Sequence, residues 1–360
     1  MNIVNIPVSQ VASGMIVAED VYNSGNERIL SRNTMVTTRS ITKLKIHAIK
    51  EIFVYIPNTL VKKQTIKPSE HITALKNSIE FKKFKKFYVD SILILKDSYL
   101  ALTGTTSLPY NEIKLLNSVE QLLKECRSSL RTFDMLQCIR DLDDQIYVHS
   151  LNVSLICFSF ATWLNFNAHD AEQLMLAGLL HDIGKLKLPK DIMQKPTSLN
   201  EKELESVHQH PIMGYELVKD RKMDSRVKEA ILMHHERCDG SGYPNKLSSK
   251  DISPFAKILS IADVYDAMTA KRVYRKEICP FEVLENFEKE GYQKYDVAYL
   301  LPFLEGLAQC YINATVCLSN SLVGEVVMIN KNNLSRPVVK VDKKFIDLSK
   351  HTELKIASIL

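Results

Sequence analysis

Histidines concentrate in one part of this 360-residue chain, together with acidic residues. Seven of the ten histidines lie between residues 149 and 235: His149, His169, His181, His208, His210, His234 and His235. Imidazole nitrogens combined with carboxylate oxygens suit iron, manganese or zinc. We interpret His169 and His208 as structural residues, as lone histidines usually are. The other five accompany acids or loop glycines, and they predict a metal site.

Two aspartates are embedded in apolar stretches that a folded protein would bury. Asp182 and His181 directly follow the run LMLAGLL, and Asp263 lies inside ILSIADVYDAM. A buried carboxylate is costly unless a cation or hydrogen bonds compensate its charge. A divalent metal is the natural compensator, and the two oxygens of one aspartate can bind two different ions. Asp266, three residues after Asp263, fits either a ligand or a hydrogen bond between helices.

The adjacent pair His234-His235 follows the helical stretch VKEAILM. Neighbouring residues in a helix point about 100° apart. We therefore expect each imidazole to face a different ion, which favours a site with more than one metal. His149 and His210 add single imidazoles. Lys185 follows Asp182 by three residues and, if the helix continues, could offer its ammonium group to a phosphate beside the metals.

The segment ERCDGSGYPN, residues 236–245, follows the paired histidines and has the composition of a shaped loop. Gly240 and Gly242 permit positive φ angles and close backbone approach, and Pro244 fixes the exit from the loop. We predict that the loop presents Tyr243 as a substrate lid or stacking platform. A purely structural turn is the plain alternative.

A short basic stretch, KRVYRK, follows Asp263 by two to three helical turns and holds Arg272 and Arg275. Arginine guanidinium groups match phosphate oxygens and the Hoogsteen edge of guanine. A solvated basic helix end is the usual explanation of such a run. Contact with a ligand is therefore an interpretation that depends on the neighbouring metal site.

Taken together, the segments HDIGK, HQHPIMGYE, HHERCDGSGYP and ADVYDAMTAKRVYRK resemble the HD-GYP domain in order and spacing, over residues 140 to 305. The resemblance implies a helical HD core with a metal centre. The implied metal ligands are His149, His181, Asp182, His210, His234, His235 and Asp263. The implied catalytic residues are Asp182 and Lys185, and the implied substrate contacts are Lys185, Tyr243, Arg272 and Arg275.

The resemblance also implies an activity: hydrolysis of the bacterial second messenger cyclic di-GMP to pGpG by a hydroxide that bridges iron or manganese ions. In trinuclear members a glutamate lies one helical turn before the first histidine, and this chain has Gln145 there. Because a neutral amide is a poorer ligand for a hard cation than a carboxylate is, we expect two ions. Asp144 lies nearby, so a third ion and a second cut to GMP stay open. A cyclic di-GMP receptor without turnover, or a phosphodiesterase for another cyclic dinucleotide such as cyclic GMP-AMP, are the alternatives.

Amino-acid composition limits which binding partners and which cellular compartment we expect for this protein. The net charge is +5 on 47 basic and 42 acidic residues, which is too balanced to predict binding to a nucleic-acid polymer or a membrane surface. The seven cysteines are scattered, which fits a reducing cytoplasm. The amino terminus lacks the pattern of a signal peptide, and polar residues interrupt the apolar stretch 151–166. We therefore predict a cytoplasmic protein without a membrane span.

Hydrophobic periodicity predicts a mainly α protein with flanking modules. Residues 1–56 read as a small α+β module with short strands within 15–37, a helix over 41–50 and a strand over 51–56, and a regulatory role is open. Residues 57–70 read as a linker, 71–140 as a helical connecting region, 141–312 as the HD-GYP hydrolase domain and 313–360 as a small β appendage. In the segment FKKFKKFY we expect buried aromatics and exposed lysines. The flanking modules could serve a homodimer, a signalling partner or packing alone.

Overall fold

Two compact units make up the protein, Met1–Lys67 and Pro68–Leu360. The computed structural model describes residues 2–8, 11, 15–23, 25, 27–47, 49–56, 75–126, 128–139, 145–193, 195, 197–270 and 278–360. Each unit has its own cluster of buried apolar side chains. The predicted linker 57–70 lies outside the described residues. The finer boundaries at residues 70, 140 and 312 remain predictions.

The first unit is a small α+β module, as predicted. Its elements are β1 (Asn2–Pro7), β2 (Ile16–Val17), β3 (Val21–Tyr22), β4 (Arg28–Leu30), α1 (Thr38–Ile46) and β5 (Glu51–Ile56). The main sheet has the antiparallel order β1-β5-β2, and β3 pairs with β4. Helix α1 begins earlier than expected because Thr37 and Ser40 form a reciprocal capping box. Val17, Leu44 and Val54 are fully buried in the core of this unit.

The second unit is mainly helical, again as predicted. Its helices are α2 (Ile79–Leu102), α3 (Glu112–Cys126), α4 (Ser129–Cys138), α5 (Gln145–Trp163), α6 (Ala168–Leu180), α7 (Lys190–Met193), α8 (Glu201–Val207), α9 (His210–Val218), α10 (Ser225–Met233), α11 (Pro254–Thr269), α12 (Pro280–Asn286), α13 (Tyr292–Lys294) and α14 (Val297–Gln309). Pro211, Pro254 and Pro280 occupy the first turns of α9, α11 and α12. Proline is favoured there because those backbone positions need no hydrogen-bond donor.

Helices α5 and α6 form the centre of this unit, and α11 packs against both. A Cβ atom at Gly178 would lie 2.8 Å from Ser154 Cα, so the glycine allows α5 and α6 to approach closely. Within the described residues, one segment, Ile146–Trp163, is long and apolar enough to cross a membrane by length and composition, and 61% of it is buried inside the protein. A helix that is apolar on all sides is also typical of a protein core.

Helix α2 places the FKKFKKFY segment as predicted. Phe81, Phe84 and Tyr88 are buried against the other helices, while the four lysines between and around them are exposed. Ser78 caps the helix by accepting a hydrogen bond from the Phe81 backbone N–H. The aromatic face of α2 therefore belongs to the core of the second unit.

The chain after residue 313 forms the predicted β appendage. Its strands are β6 (Thr315–Leu318), β7 (Val323–Met328), β8 (Val338–Val341), β9 (Lys344–Asp347) and β10 (Ile356–Ile359), in the antiparallel order β10-β6-β7-β8-β9. Glu288 accepts hydrogen bonds from the backbone N–H groups of Leu334 and Ser335. Glu285 pairs with Arg336. These contacts attach the sheet to the region of α12.

Candidate metal centre

All seven predicted ligand residues meet in one part of the second unit. Five segments far apart in sequence supply them. Helix α5 carries His149, and His181 and Asp182 follow α6 directly. His210 is the first residue of α9, His234 and His235 follow α10 directly, and Asp263 lies within α11. Most of these side chains are deeply buried.

Three of the imidazoles are aimed by their own backbone. The Nδ1 atoms of His181, His210 and His234 lie 2.7 to 2.8 Å from the carbonyl oxygens of Gly178, Val207 and Ile231, each three residues earlier in the chain. A carbonyl oxygen only accepts, so each Nδ1 must donate its proton. Each Nε2 atom then presents a lone pair towards the pocket.

These lone pairs face other electron-rich atoms, which is unfavourable without a cation between them. His210 Nε2 lies 3.2 Å from His234 Nε2 and 3.2 Å from Asp182 Oδ1. Among the described residues, the buried His181 Nε2 and Asp182 Oδ1 atoms have no hydrogen-bond partner. Buried polar atoms in native proteins are almost always satisfied. The donor set and its orphaned atoms therefore fit divalent metal ions.

The donor atoms fall into two groups that share one carboxylate. One group is Asp182, His210, His234 and His235, and the other is His149, His181 and Asp182. Asp182 Oδ1 faces His210, while Asp182 Oδ2 lies 3.5 Å from His181 Nε2 and 3.8 Å from His149 Nε2. Two donors bound to one ion at about 2.1 Å each lie about 3.0 to 3.4 Å apart at octahedral or tetrahedral angles. The spacing thus approaches that of two neighbouring coordination sites.

Asp263 connects the same two groups from the opposite helix. Its Oδ1 atom lies 3.0 Å from His149 Nε2, and its Oδ2 atom lies 3.7 Å from His235 Nδ1. Burial alone would raise the pKa of Asp263, but the hydrogen bond from His149 and the nearby imidazoles hold this pKa well below its ordinary value. Asp263 is therefore ionised and available as a ligand.

The pKa of His149 is shifted in the opposite direction from the pKa values of three other imidazoles in the site. Burial lowers the pKa values of His181, His234 and His235 below the ordinary range, so these rings are neutral, as metal ligands must be. Burial acts on His149 in the same direction, but its hydrogen bonds to Asp263 and Asp266 outweigh burial and raise its pKa to about 10. The His149 Nε2 atom, which would bind a metal ion, faces Asp263 Oδ1 at 3.0 Å.

Asp266 on α11 forms a hydrogen bond with the His149 ring on α5. Of the two roles expected for this acid, a metal ligand or a hydrogen bond between helices, the structure shows the second. Asp266 Oδ2 accepts a 2.7 Å hydrogen bond from His149 Nδ1, and its Oδ1 atom accepts from the Asn152 side-chain amide at 3.0 Å. Asn152 in turn accepts from the Tyr88 hydroxyl at 2.6 Å. The sequence pattern did not reveal Asn152 or Tyr88. The only local signal is that Asn152 lies three residues after His149, on the same face of α5.

Lys185 reaches the site by a different local structure from the one expected. Helix α6 ends at Leu180, and residues Ile183–Lys187 form a 3₁₀ turn. Residues three apart are eclipsed in such a turn, so Lys185 Nζ still pairs with Asp182 Oδ2 at 2.6 Å. A side chain at position 184 would collide with the His210 carbonyl, and Gly184 therefore lets this turn pack against α9.

His234 and His235 do not diverge as a continued helix would require. Helix α10 ends at Met233, and the two rings lie 4.1 Å apart between centroids. Their donor atoms belong to a single group with Asp182 and His210. One ion could therefore contact both rings, but His235 also approaches Asp263, and the expectation of a separate ion for each imidazole stays a prediction.

The loop after the paired histidines is held by Glu236 and by its glycines. The buried Glu236 carboxylate accepts from the backbone N–H groups of Asn245 and Leu247 at 2.6 and 2.9 Å. Gly240 has a φ of 78°. A Cβ atom at Gly242 would lie 2.4 Å from Arg237 N, so only glycine fits where the chain crosses itself.

The Tyr243 ring is stacked between two imidazoles. The ring centroid of His208 lies 3.9 Å from that of Tyr243, and the centroid of His235 lies 4.6 Å from it. These two imidazoles make no ring contact with each other in the described part of the chain, as expected if they cover opposite faces of Tyr243. His208, interpreted as structural, is part of the wall of the site.

Some predicted site residues fall outside the described structure. Arg272 and Arg275 lie in the segment 271–277, which the structure does not describe. Asp144 is likewise outside it, and nothing is established for the side chain of Gln145. The described part of helix α11 ends at Thr269.

The sequence profile of the HD domain matches residues 112–299. Because this segment is more than half of the chain, the protein belongs to the HD domain family. The matched segment contains every histidine and aspartate of the candidate metal centre.

Relatives with a named activity confirm the resemblance to HD-GYP proteins. A cyclic di-GMP phosphodiesterase of Pseudomonas aeruginosa is 33% identical over 205 residues, which are 56% of this chain and 49% of the relative. A cyclic di-GMP phosphodiesterase of Borreliella burgdorferi is 27% identical over 53% of this chain and 51% of the relative. A 3'3'-cGAMP-specific phosphodiesterase of Vibrio cholerae is 31% identical over 50% of this chain and 34% of the relative. The chain thus spans about half the length, or less, of these relatives.

Proposed function

We propose that the protein is a metal-dependent phosphodiesterase that hydrolyses cyclic di-GMP to pGpG. The observation that carries this proposal is the pair of donor groups that share Asp182. Such an arrangement suits hydrolysis of a phosphodiester by two metal ions. The named activities of the relatives from Pseudomonas aeruginosa and Borreliella burgdorferi support cyclic di-GMP as the substrate.

The cofactor we propose is two divalent ions, iron or manganese. One ion would be held by Asp182, His210, His234 and His235, and the other by His149, His181, Asp182 and Asp263. Ions held there would supply Lewis-acid polarisation of a phosphoryl oxygen and acidification of a water nucleophile. Imidazole and carboxylate donors suit these two metals. Gln145, in place of a glutamate, favours two ions over three.

The remaining residues bind and orient the dinucleotide. Lys185 keeps its ammonium group at the edge of the centre through its contact with Asp182, and the side chain is 22% exposed. It can therefore donate to a non-bridging phosphate oxygen and offset the charge that develops there. Arg272 and Arg275 would contact guanine and phosphate. Tyr243 would contribute through its hydroxyl group, because its ring already stacks against His208 and His235.

We place this hydrolase activity in residues 141–312 and the protein in the cytoplasm. Residues 1–56 and 313–360 would then act as flanking modules that serve a dimer, a signalling partner or packing. The scattered cysteines support a reducing compartment.

The decisive experiment purifies the full chain anaerobically, measures bound metals and separates the products formed from cyclic di-GMP. We expect about two iron or manganese ions per chain and conversion to pGpG. Binding of cyclic di-GMP by the fully loaded protein without any turnover would contradict the proposal and identify a receptor. The variant His181→Ala should lose both metal and turnover.

A second substrate deserves a direct comparison because of the relative from Vibrio cholerae that is specific for 3'3'-cGAMP. This dinucleotide replaces one guanine with adenine, so the discriminating contacts lie at the base edges. Turnover of cyclic di-GMP and 3'3'-cGAMP should be measured side by side at equal concentrations. A higher kcat/KM for 3'3'-cGAMP would reassign the substrate and leave the metal chemistry unchanged.

A further inference from the structure

A continuous chain of hydrogen bonds connects helix α2 to the ligand His149. The Tyr88 hydroxyl on α2 donates to Asn152 Oδ1 on α5 at 2.6 Å, and Asn152 Nδ2 donates to Asp266 Oδ1 on α11 at 3.0 Å. Asp266 Oδ2 then accepts from His149 Nδ1 at 2.7 Å. All four side chains are buried or nearly so. Three helices are therefore joined at one metal ligand.

Asp266 and Tyr88 together fix which way the Asn152 side-chain amide is oriented. Asp266 is a carboxylate that needs donors, and Asn152 satisfies it only when its amide nitrogen points that way. The carbonyl oxygen of the same amide then faces α2, where it needs a donor. The hydroxyl of Tyr88 supplies one, and burial raises the pKa of Tyr88 well above its ordinary value, so that the proton stays on this oxygen. A phenylalanine at position 88 would leave the amide carbonyl unpaired.

We infer that Tyr88 is a positioning residue for the metal centre, which sets the orientation of His149 through Asn152 and Asp266. Tyr88 lies before residue 112, where the segment that belongs to the HD domain begins. Helix α2 thus helps to orient a proposed metal ligand, in addition to linking the first unit to the HD domain segment in sequence. This inference rests on the proposed metal binding and adds a residue to it.

The link is short enough to be sensitive to the position of α2. Hydroxyl hydrogen bonds are effective between about 2.5 and 3.0 Å. A shift of α2 by about 1 Å would therefore break the contact between Tyr88 and Asn152. His149 belongs to only one of the two donor groups, so the loss should weaken one ion selectively. Changes in the partners that orient a metal ligand typically cost about 10- to 100-fold in affinity.

The test is Mn²⁺ titration of the full-length apo protein by calorimetry, for the wild type, Tyr88→Phe and Tyr99→Phe. Tyr99 is a matched control because it lies on the same helix, is fully buried and also donates through its hydroxyl, to Leu179 O at 2.8 Å. Among the described residues, its hydroxyl contacts the Ser150 hydroxyl and the Leu179 carbonyl, and neither is a carboxylate. We expect Tyr88→Phe to weaken one of two Mn²⁺ equivalents at least tenfold, with the other unchanged, and Tyr99→Phe to bind as the wild type does.

Further variants keep the inference testable if Tyr88→Phe folds poorly. Asn152→Ala should weaken the same equivalent, and in an Asp266→Asn background Tyr88→Phe should add less than a twofold change. Two unaltered equivalents in Tyr88→Phe, or an equal loss in Tyr99→Phe, would overturn the inference. A wild type that binds two Mn²⁺ ions but cleaves no dinucleotide would refute only the proposed activity. A wild type that binds no Mn²⁺ would overturn both.

Discussion

At the scale of single residues, Asp182 has the largest predicted effect because both donor groups contain it. Replacing it in Asp182→Asn removes the negative charge that two cations would share. We expect the purified variant to retain little metal and to lose activity by about 100-fold or more. Mutating residues that only hydrogen-bond a metal ligand typically costs about 10- to 100-fold, and loss of a proposed ligand should cost at least as much. Metal analysis and turnover of cyclic di-GMP measure this. Asp191→Asn, at an exposed aspartate close by in sequence, should behave as the wild type.

The histidines and aspartates that meet at the candidate metal centre could be picked out from the sequence, whereas the residues that support them could not. Asp182 and His181 stand out in the sequence because burying an acid or a histidine in apolar surroundings costs free energy unless a partner compensates it. Tyr88 and Asn152 are ordinary helix residues whose partners lie far away along the chain. Glu236 was missed for the same reason, since its buried position becomes visible only when the loop folds over it.

At the scale of elements, the loop 236–247 depends on one buried carboxylate. Glu236→Gln keeps the size of the side chain but replaces one acceptor oxygen with a donor, which leaves a backbone N–H group of the loop unpaired. We expect a loss of about 1 to 3 kcal/mol in the free energy of unfolding. Urea denaturation measures it, with Glu216→Gln as the control because Glu216 is 53% exposed. A change no larger than that of the control would show that Glu236 does not hold the loop.

Local patterns predicted the types of most elements but not their ends or their distant partners. The helical periodicity, the strands of the appendage and the buried face of α2 were all correct. Strand β1 was missed because its partner β5 lies about 50 residues later, with Asn2 opposite Ile56. The 3₁₀ turn after α6 and the early end of α10 were also missed. The turn packs against α9 through Gly184, a contact between distant segments that local helix propensity does not predict.

At the scale of the whole molecule, metal binding should stabilise the second unit. A ligand that binds only the folded state stabilises it by about 2.7 kcal/mol when its concentration is 100 times its Kd. We therefore expect a chelator to lower the melting temperature of the second unit by several degrees, and Mn²⁺ to restore it. Differential scanning calorimetry measures the shift. The variant Asp182→Asn serves as the control and should show no response to either treatment.

The two units have separate apolar cores, which leads to a prediction about truncation. Among the residues that the structure describes, the buried residues of the larger cluster begin at Leu75 and those of the smaller cluster end at Val54. A chain of residues 68–360 should therefore fold, bind two ions and unfold with the same midpoint as that unit does in the full chain. Circular dichroism and metal analysis check this. Aggregation of the shortened chain, or loss of its metal, would mean that the first unit is needed for folding.

The backbone carbonyls that orient His181, His210 and His234 have a consequence for how the protein acquires its cofactor. Since these rings point inwards through contacts within their own segments, the cavity is ready as soon as the polypeptide has folded. Synthesis and cofactor uptake can then be separate events. The resident ion would reflect whichever divalent cation is abundant when the finished protein meets it, and a single preparation could be emptied and refilled with a series of metals.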